Sequence, residues 1–216
     1  MSWGLVLFDL DGTLLNTLDD LADASNAVLA REGLPGHPVA AYQYLVGEGT
    51  EQLVRRMLPR ECQEEARVAR CLEALRVEYG RRWAAKTRPY PGVAELLEEL
   101  LARQQPAAVF SNKPDEFTCL TVNHFLAHAG FAAVRGARAG VARKPHPAGA
   151  LALAAELGQP PARCLYVGDT GTDMDTAAAA GMPAVGVTWG FRTADELRHH
   201  GARWLIDRPD QLLDLL

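Results

Sequence analysis

Basic charge is in short supply in this sequence. Its 22 lysines and arginines stand against 27 aspartates and glutamates, a net charge of −5 over 216 residues. Without a basic face there is little to neutralise a nucleic-acid backbone, so a nucleic-acid partner is not expected. Cysteine is scarce as well. The four present, Cys62, Cys71, Cys119 and Cys164, are scattered with no CxxC pair, which argues against a thiolate metal site and a disulfide framework. Reduced thiols in a cytoplasmic protein are the expectation. No apolar run is long enough to span a bilayer. The short N-terminal run has no Lys or Arg before it and is interrupted by Asp9 and Asp11, unlike a signal peptide. A membrane partner is therefore not expected either.

What is present is an ordinary globular balance, with 48 % apolar and 23 % charged residues, enough for a core domain carrying a smaller one. Short apolar runs alternate with longer helical stretches, the pattern of an α/β fold with a parallel sheet. The runs at residues 5–8, 107–110, 131–134, 164–167, 184–187 and 204–206 predict buried strands. Residues 16–88 break the rhythm. They hold no convincing strand and several helical segments, including a long charged one predicted over residues 61–83, and they end at a Pro-rich edge. The expected architecture is a doubly wound, Rossmann-like core of residues 1–15 and 89–216 with an α-helical domain of residues 16–88 inserted. In such sheets ligands sit beyond the carboxyl ends of the strands, so residues with useful chemistry should follow the apolar runs.

They do. After the first run comes Asp9-Leu10-Asp11-Gly12-Thr13. Two carboxylates two residues apart on extended backbone point to the same side and repel, unless a cation neutralises them or one keeps a proton. That suits a metal-assisted nucleophile beside a general acid; the alternative is a simple Asp-Gly turn. After the second run, Ser111-Asn112-Lys113-Pro114-Asp115-Glu116 carries helix-start signals. Ser111 and Asn112 then either bind an anion at the positive helix end or merely cap the helix. Lys144, before Pro145, is either fixed to neutralise a phosphate or simply solvated. After residues 164–167, Asp169 and Asp173 lie one turn apart, an oxygen-ligand pair that suits Mg²⁺ or, alternatively, acids that favour a helix start.

Taken in order, these four segments resemble the haloacid dehalogenase-like superfamily. Its DxDGT motif is matched by Asp9 to Thr13, its strand-end Ser or Thr by Ser111, its lysine by Lys144 and its GDxxxD by Gly168 to Asp173. The helical insertion resembles the superfamily's cap. The resemblance implies a phosphatase in which Asp9 is the nucleophile, Asp11 the acid and base, and Lys144 a neutralising cation. It further implies that Ser111, the Asn112 backbone and Lys144 hold phosphoryl oxygens. Mg²⁺ would be held by Asp9, the Asp11 carbonyl, Asp169 and Asp173. Asp11, absent from hydrolytic dehalogenases, argues against that activity.

The stretch Val46-Gly47-Glu48-Gly49-Thr50 resembles the cap loop of phosphoglycolate phosphatases. Gly47 and Gly49 are thereby implied in binding a small phosphate ester, 2-phosphoglycolate first, with pyrophosphate, a sugar phosphate or a nucleotide as alternatives. Asn16 departs from the family's usual Asp, and residues 135–143 from its usual acidic sequence. A receiver-like phospho-acceptor also combines Asp, hydroxyl and Lys, but gives no reason for Asp11 or the helical insertion. His124 and His128, four apart on a predicted helix, lack the glutamate of a zinc-protease motif and are expected to face solvent. Trp189 is expected either to line the site or to sit in the core. Monomer and homodimer both remain open.

Overall fold

The structure, a computed structural model, describes residues 3–216. Strand β1 (Leu5–Phe8) runs into a turn and the two-residue strand β2 (Leu15–Asn16). Four helices follow: α1 (Leu18–Arg31), α2 (Tyr42–Leu45), α3 (Thr50–Met57) and α4 (Glu65–Arg82). Strand β3 (Arg88–Pro89) then returns antiparallel to β2. The remainder alternates α5 (Val93–Ala102), β4 (Ala107–Pro114), α6 (Asp115–Phe125), β5 (Ala133–Ala137), α7 (Ala148–Glu156), β6 (Cys164–Gly168), α8 (Gly171–Ala180), β7 (Ala184–Val187), α9 (Ala194–His199) and β8 (Trp204–Ile206).

Six strands form one parallel sheet in the order β5-β4-β1-β6-β7-β8. Alternate residues of each strand face opposite sides of a sheet, and both sides are covered here. Val6, Phe8, Val109 and Val167 pack on one face beneath α5, while Leu5, Leu7, Ala108 and Tyr166 pack on the other beneath α7 and α8. The chain winds outward from β1 through β4 to β5, then crosses to β6 on the other side of β1. The switch leaves a crevice at the carboxyl ends of β1, β4 and β6.

The helices between β2 and β3 share an apolar cluster of their own, built around Val28, Leu29, Tyr42, Val54, Met57 and Leu75, which Phe117 and Phe191 join from the sheet portion. Asp20 of α1 ties down the return crossing. Its carboxylate accepts from the backbone N–H of Lys86 and, at 2.8 Å, from both the N–H and the hydroxyl of Thr87.

Three elements depart from the sequence expectation. Strand β4 continues past Phe110 to Pro114, with an irregular register, because Ser111, Asn112 and Lys113 find polar partners that let them be buried. Helix α6 accordingly begins at Asp115, so Ser111 and Asn112 do not occupy its N-terminus. The fifth strand lies at Ala133–Ala137, not 131–134; it is a sheet edge, half-exposed, and loses the apolar signature of its neighbours. The long charged helix starts at Glu65, since Gln63 donates its side-chain amide to the carbonyls of Arg55 (2.7 Å) and Leu58 (3.1 Å) and closes the preceding turn.

Candidate active site

Asp9 follows directly on β1, its backbone N–H bonded to Val167 of the neighbouring strand at 2.9 Å. The main-chain register thus fixes where its side chain emerges. One oxygen lies 2.6 Å from Nζ of Lys144, and the same ammonium lies 2.6 Å from Asp173. Asp169, at the tip of β6, is fully buried beside them. Its two oxygens accept from the Thr13 hydroxyl (3.0 Å) and the Phe191 backbone N–H (2.8 Å). Asp173 is oriented by helix capping: Thr170 starts α8, and its N–H and hydroxyl donate to the outer oxygen of Asp173 at 3.1 and 2.6 Å. Two glycines keep this corner open. A β-carbon at Gly12, whose φ is +93°, or at Gly190 would collide with Asp169.

Charges in this pocket do not cancel. Three buried carboxylates face one lysine, which with all three ionised would leave an excess of two negative charges. Burial pushes the Asp9 carboxyl up from 3.8 to about 7, with Lys144 opposing the rise and Asp173 adding to it. Asp169 is driven well above the usual carboxylate range by burial and by the charges of Asp173 and Asp9. Burial also acts against the Lys144 ammonium, but Asp173 and Asp9 outweigh it and hold that group well above the ordinary lysine value. One oxygen from each of Asp9, Asp169 and Asp173 can be chosen so that all lie within 4.8 Å of one another. An oxygen-only donor set short of two positive charges fits a hard divalent cation.

Above this cluster opens a cavity of about 460 Å³. Asp9, Asp11, Ser111, Asn112 and Lys144 line it from the sheet side, and Gly47 and Gly49 line it from the helical side. The expected site residues therefore converge, with Asp169 and Asp173 buried below. Gly47 and Gly49 have φ of +115° and +92°, backbone that favours glycine, and Gly49 caps the start of α3. Asn112 works through its side chain, donating to the carbonyls of Gly47 (3.1 Å) and Lys144 (3.0 Å).

Lys113 is a cavity residue that the sequence pattern does not single out. Its nearly buried ammonium contacts both oxygens of Asp11, at 2.9 and 3.1 Å, and the hydroxyl of Tyr79 from α4 at 2.6 Å. The Asp11 carboxylate is thus turned to Lys113 and stands outside the three-aspartate cluster. Burial works against the Lys113 charge, but Asp11 and Tyr79 prevail and raise it above the ordinary lysine value. Its signal in the sequence is a lysine beside a strand-end Ser, masked by the helix-start residues Pro114, Asp115 and Glu116 that follow it.

Other expectations resolve simply. Trp189 is half-buried against the core and donates its indole N–H to the Thr13 carbonyl at 3.0 Å, bracing the turn after β1. His124 and His128 are exposed, and α6 ends at Phe125, so they do not share a helix. The side-chain oxygen of Asn16 accepts from the N–H of Leu18 at 3.2 Å, a bond an aspartate would also accept. In residues 135–143, Arg135 pairs with Glu156, Arg138 pairs with Asp115, and Arg143 reaches the cavity beside Gly49. All four cysteines are free thiols, and no helix among the described residues is long and apolar enough to cross a membrane.

A doubly wound parallel sheet with helices inserted after its first strand, and an aspartate–lysine cluster at the switch point, defines an α/β enzyme with a candidate site at the strand ends. The profile of the haloacid dehalogenase-like hydrolases matches residues 6–187, and the chain belongs to that family. Within it the chain is a phosphatase. It is 34 % identical to a phosphoglycolate phosphatase of Haemophilus influenzae over 98 % of this chain and 97 % of that one. A phosphoglycolate phosphatase of Xanthomonas campestris is 33 % identical over 96 % and 93 %. Among solved structures, a candidate phosphoglycolate phosphatase from Lactobacillus delbrueckii superposes with a TM-score of 0.93 at 29 % identity, covering 100 % of this chain and 98 % of the other.

Proposed function

We propose that this enzyme is a Mg²⁺-dependent phosphatase that hydrolyses 2-phosphoglycolate through an aspartyl-phosphate on Asp9. One juxtaposition carries the reading: Asp9 shares Lys144 with Asp173, beside Asp169, on the floor of the cavity that Asp11 also lines. In this reading residues 16–88 act as a cap over residues 1–15 and 89–216, with β2 and β3 as the two crossings. The protein works in the cytoplasm with its thiols reduced.

The cation would be held by Asp9, Asp169 and the Asp11 carbonyl, with Asp173 as an outer partner. When bound, it supplies the positive charge that lets an ionised Asp9 face an anionic phosphate. Asp9 attacks phosphorus, the bond from phosphorus to the ester oxygen breaks, and Asp11 gives that oxygen a proton. Asp11 then removes a proton from the water that attacks the aspartyl-phosphate, releasing inorganic phosphate and restoring Asp9. Ser111, the backbone N–H of Asn112 and Lys144 hold phosphoryl oxygens, and the backbone at Gly47 and Gly49 approaches the rest of the substrate. Phosphoryl transfer is mostly positioning and charge stabilisation, which these residues provide. The substrate assignment is supported by the activity that the full-length relatives are named for.

Hydrolysis of a panel of phosphoglycolate, pyrophosphate, sugar phosphates and nucleotides, with and without Mg²⁺, tests the reading alongside rapid-quench trapping of phosphoprotein. Phosphoglycolate should lead the panel, and phosphate on Asp9 should turn over. Another ester in the lead would move the substrate, and a phospho-aspartate that persists would make the protein a receiver-type acceptor.

A further inference from the structure

Two lysines line the cavity, and the reaction above uses only one of them. Lys144 is taken by Asp9 and Asp173. Lys113 has a 3 % exposed side chain, lines the same cavity with its ammonium held between two other lining residues, Asp11 and Tyr79, and has no assigned part in the chemistry. A buried ammonium needs an anion beside it. Its only carboxylate partner among the described residues is Asp11, which the reaction needs free to turn to the ester oxygen. While Lys113 grips both oxygens of Asp11, that turn costs two charge-assisted hydrogen bonds.

We propose that Lys113 is the specificity residue for a second anionic group on the substrate, a carboxylate one carbon from the ester oxygen, which replaces Asp11 as its counter-ion. The proposal rests on the phosphatase reading of the same site and deepens it. Geometry sets the reach. Asp11 serves the ester oxygen, and Lys113 touches Asp11, so a carboxylate on the adjoining carbon falls within the ammonium's compass. Tyr79 holds Lys113 from the helical side at 2.6 Å, so its position survives the exchange of anions. Other cations lining the cavity are poorer candidates. The Arg76 side chain is 57 % exposed and already paired with Glu73 and Glu116, and Arg143 is exposed beside Gly49. A substrate with the second charge fills the site and releases Asp11 together. One without it leaves Asp11 pinned.

Two non-hydrolysable analogues isolate this term from catalysis. 3-Phosphonopropionate has the shape of phosphoglycolate with a methylene in place of the ester oxygen, and propylphosphonate lacks only the carboxylate. Calorimetric titration with Mg²⁺ present should show wild type binding the first about tenfold to a hundredfold more tightly, the usual range for a charge-assisted hydrogen bond. Lys113→Met should bind the two within about threefold of each other on the same scale. Asp11→Asn, which removes the competing anion, should tighten 3-phosphonopropionate about tenfold and leave propylphosphonate nearly unmoved; a purely structural salt bridge would not produce that gain. If Lys113→Met does not fold, the Asp11→Asn arm decides alone. A carboxylate preference that survives Lys113→Met would assign the group to Arg143 and overturn the proposal. So would the absence of any preference in wild type, and if wild type still turns over phosphoglycolate on Asp9, the phosphatase reading stands without it.

Discussion

The side chain of Asn112 mates with both backbone groups of Lys144: its oxygen accepts from the lysine N–H at 2.9 Å, and its amide donates to the lysine carbonyl at 3.0 Å. The same amide reaches Gly47 of the helical loop at 3.1 Å. One residue at the end of β4 therefore sets both the lysine that faces Asp9 and the loop that closes the cavity. Asn112→Ala keeps the backbone N–H but leaves these groups unpaired. It should lower kcat/KM on the order of a hundredfold, the usual result of a small misplacement in a reacting site. Steady-state kinetics on a soluble, folded variant measures it, and near wild-type turnover would remove Asn112 from the positioning role.

Asp9→Asn keeps the shape of the side chain and removes the proposed nucleophile, so turnover should vanish while circular dichroism stays native. Asp11→Asn should retain the fold and lose about a hundredfold or more, the usual contribution of a general acid and base. The two differ in a trapping experiment: phosphoprotein should be absent in the first and slow to form and to decay in the second.

Stability of the metal-free protein should carry the mark of its uncompensated carboxylates. Asp9 titrates at about 7 when folded and near 3.8 when unfolded, and Asp169 is raised as well. A raised acid contributes stability that is complete below its unfolded value and is lost as pH climbs through its folded value. The metal-free protein therefore loses this contribution between about pH 4 and pH 7. Mg²⁺ bound at the proposed site would supply the missing charge, so the rise in Tm on adding it should be larger at pH 7.5 than at pH 5.5, and binding should release protons. Thermal melts at both values, with and without chelator, check the sign. An equal rise at both would contradict the charge argument.

Gly190 gives a test that leaves every charged residue in place. A β-carbon there would strike Asp169, so Gly190→Ala should displace that carboxylate. Mg²⁺ affinity should fall about tenfold to a hundredfold, as when a group supporting a metal ligand is changed. Calorimetric titration reads it directly.

Much of this was legible in the residues themselves. Strands β1, β6 and β7 lie at or within one residue of their apolar runs, because strands covered on both faces must be apolar throughout, and the edge strand β8 still shows in its Trp-Leu-Ile run. Asp9, Asp11, Ser111, Lys144, Asp169 and Asp173 could be named because each lies beyond an apolar run, and a parallel sheet gathers such positions at one end. Strands β4 and β5 depart from the local pattern for opposite reasons: the first buries polar residues that suit a helix start, and the second is a half-exposed edge whose Arg135 and Gly136 interrupt its apolar signal.

The sequence by itself determined the alternation of elements, the helical insertion and the set of acids and lysine at the strand ends, since these depend on local periodicity and on chain order. Tertiary structure alone decided which anion each cavity lysine meets. Lys113 found Asp11 across 102 residues and Tyr79 across 34, and Lys144 found Asp9 across 135. Charges pair through space, and only the folded backbone brings those distances down to a hydrogen bond.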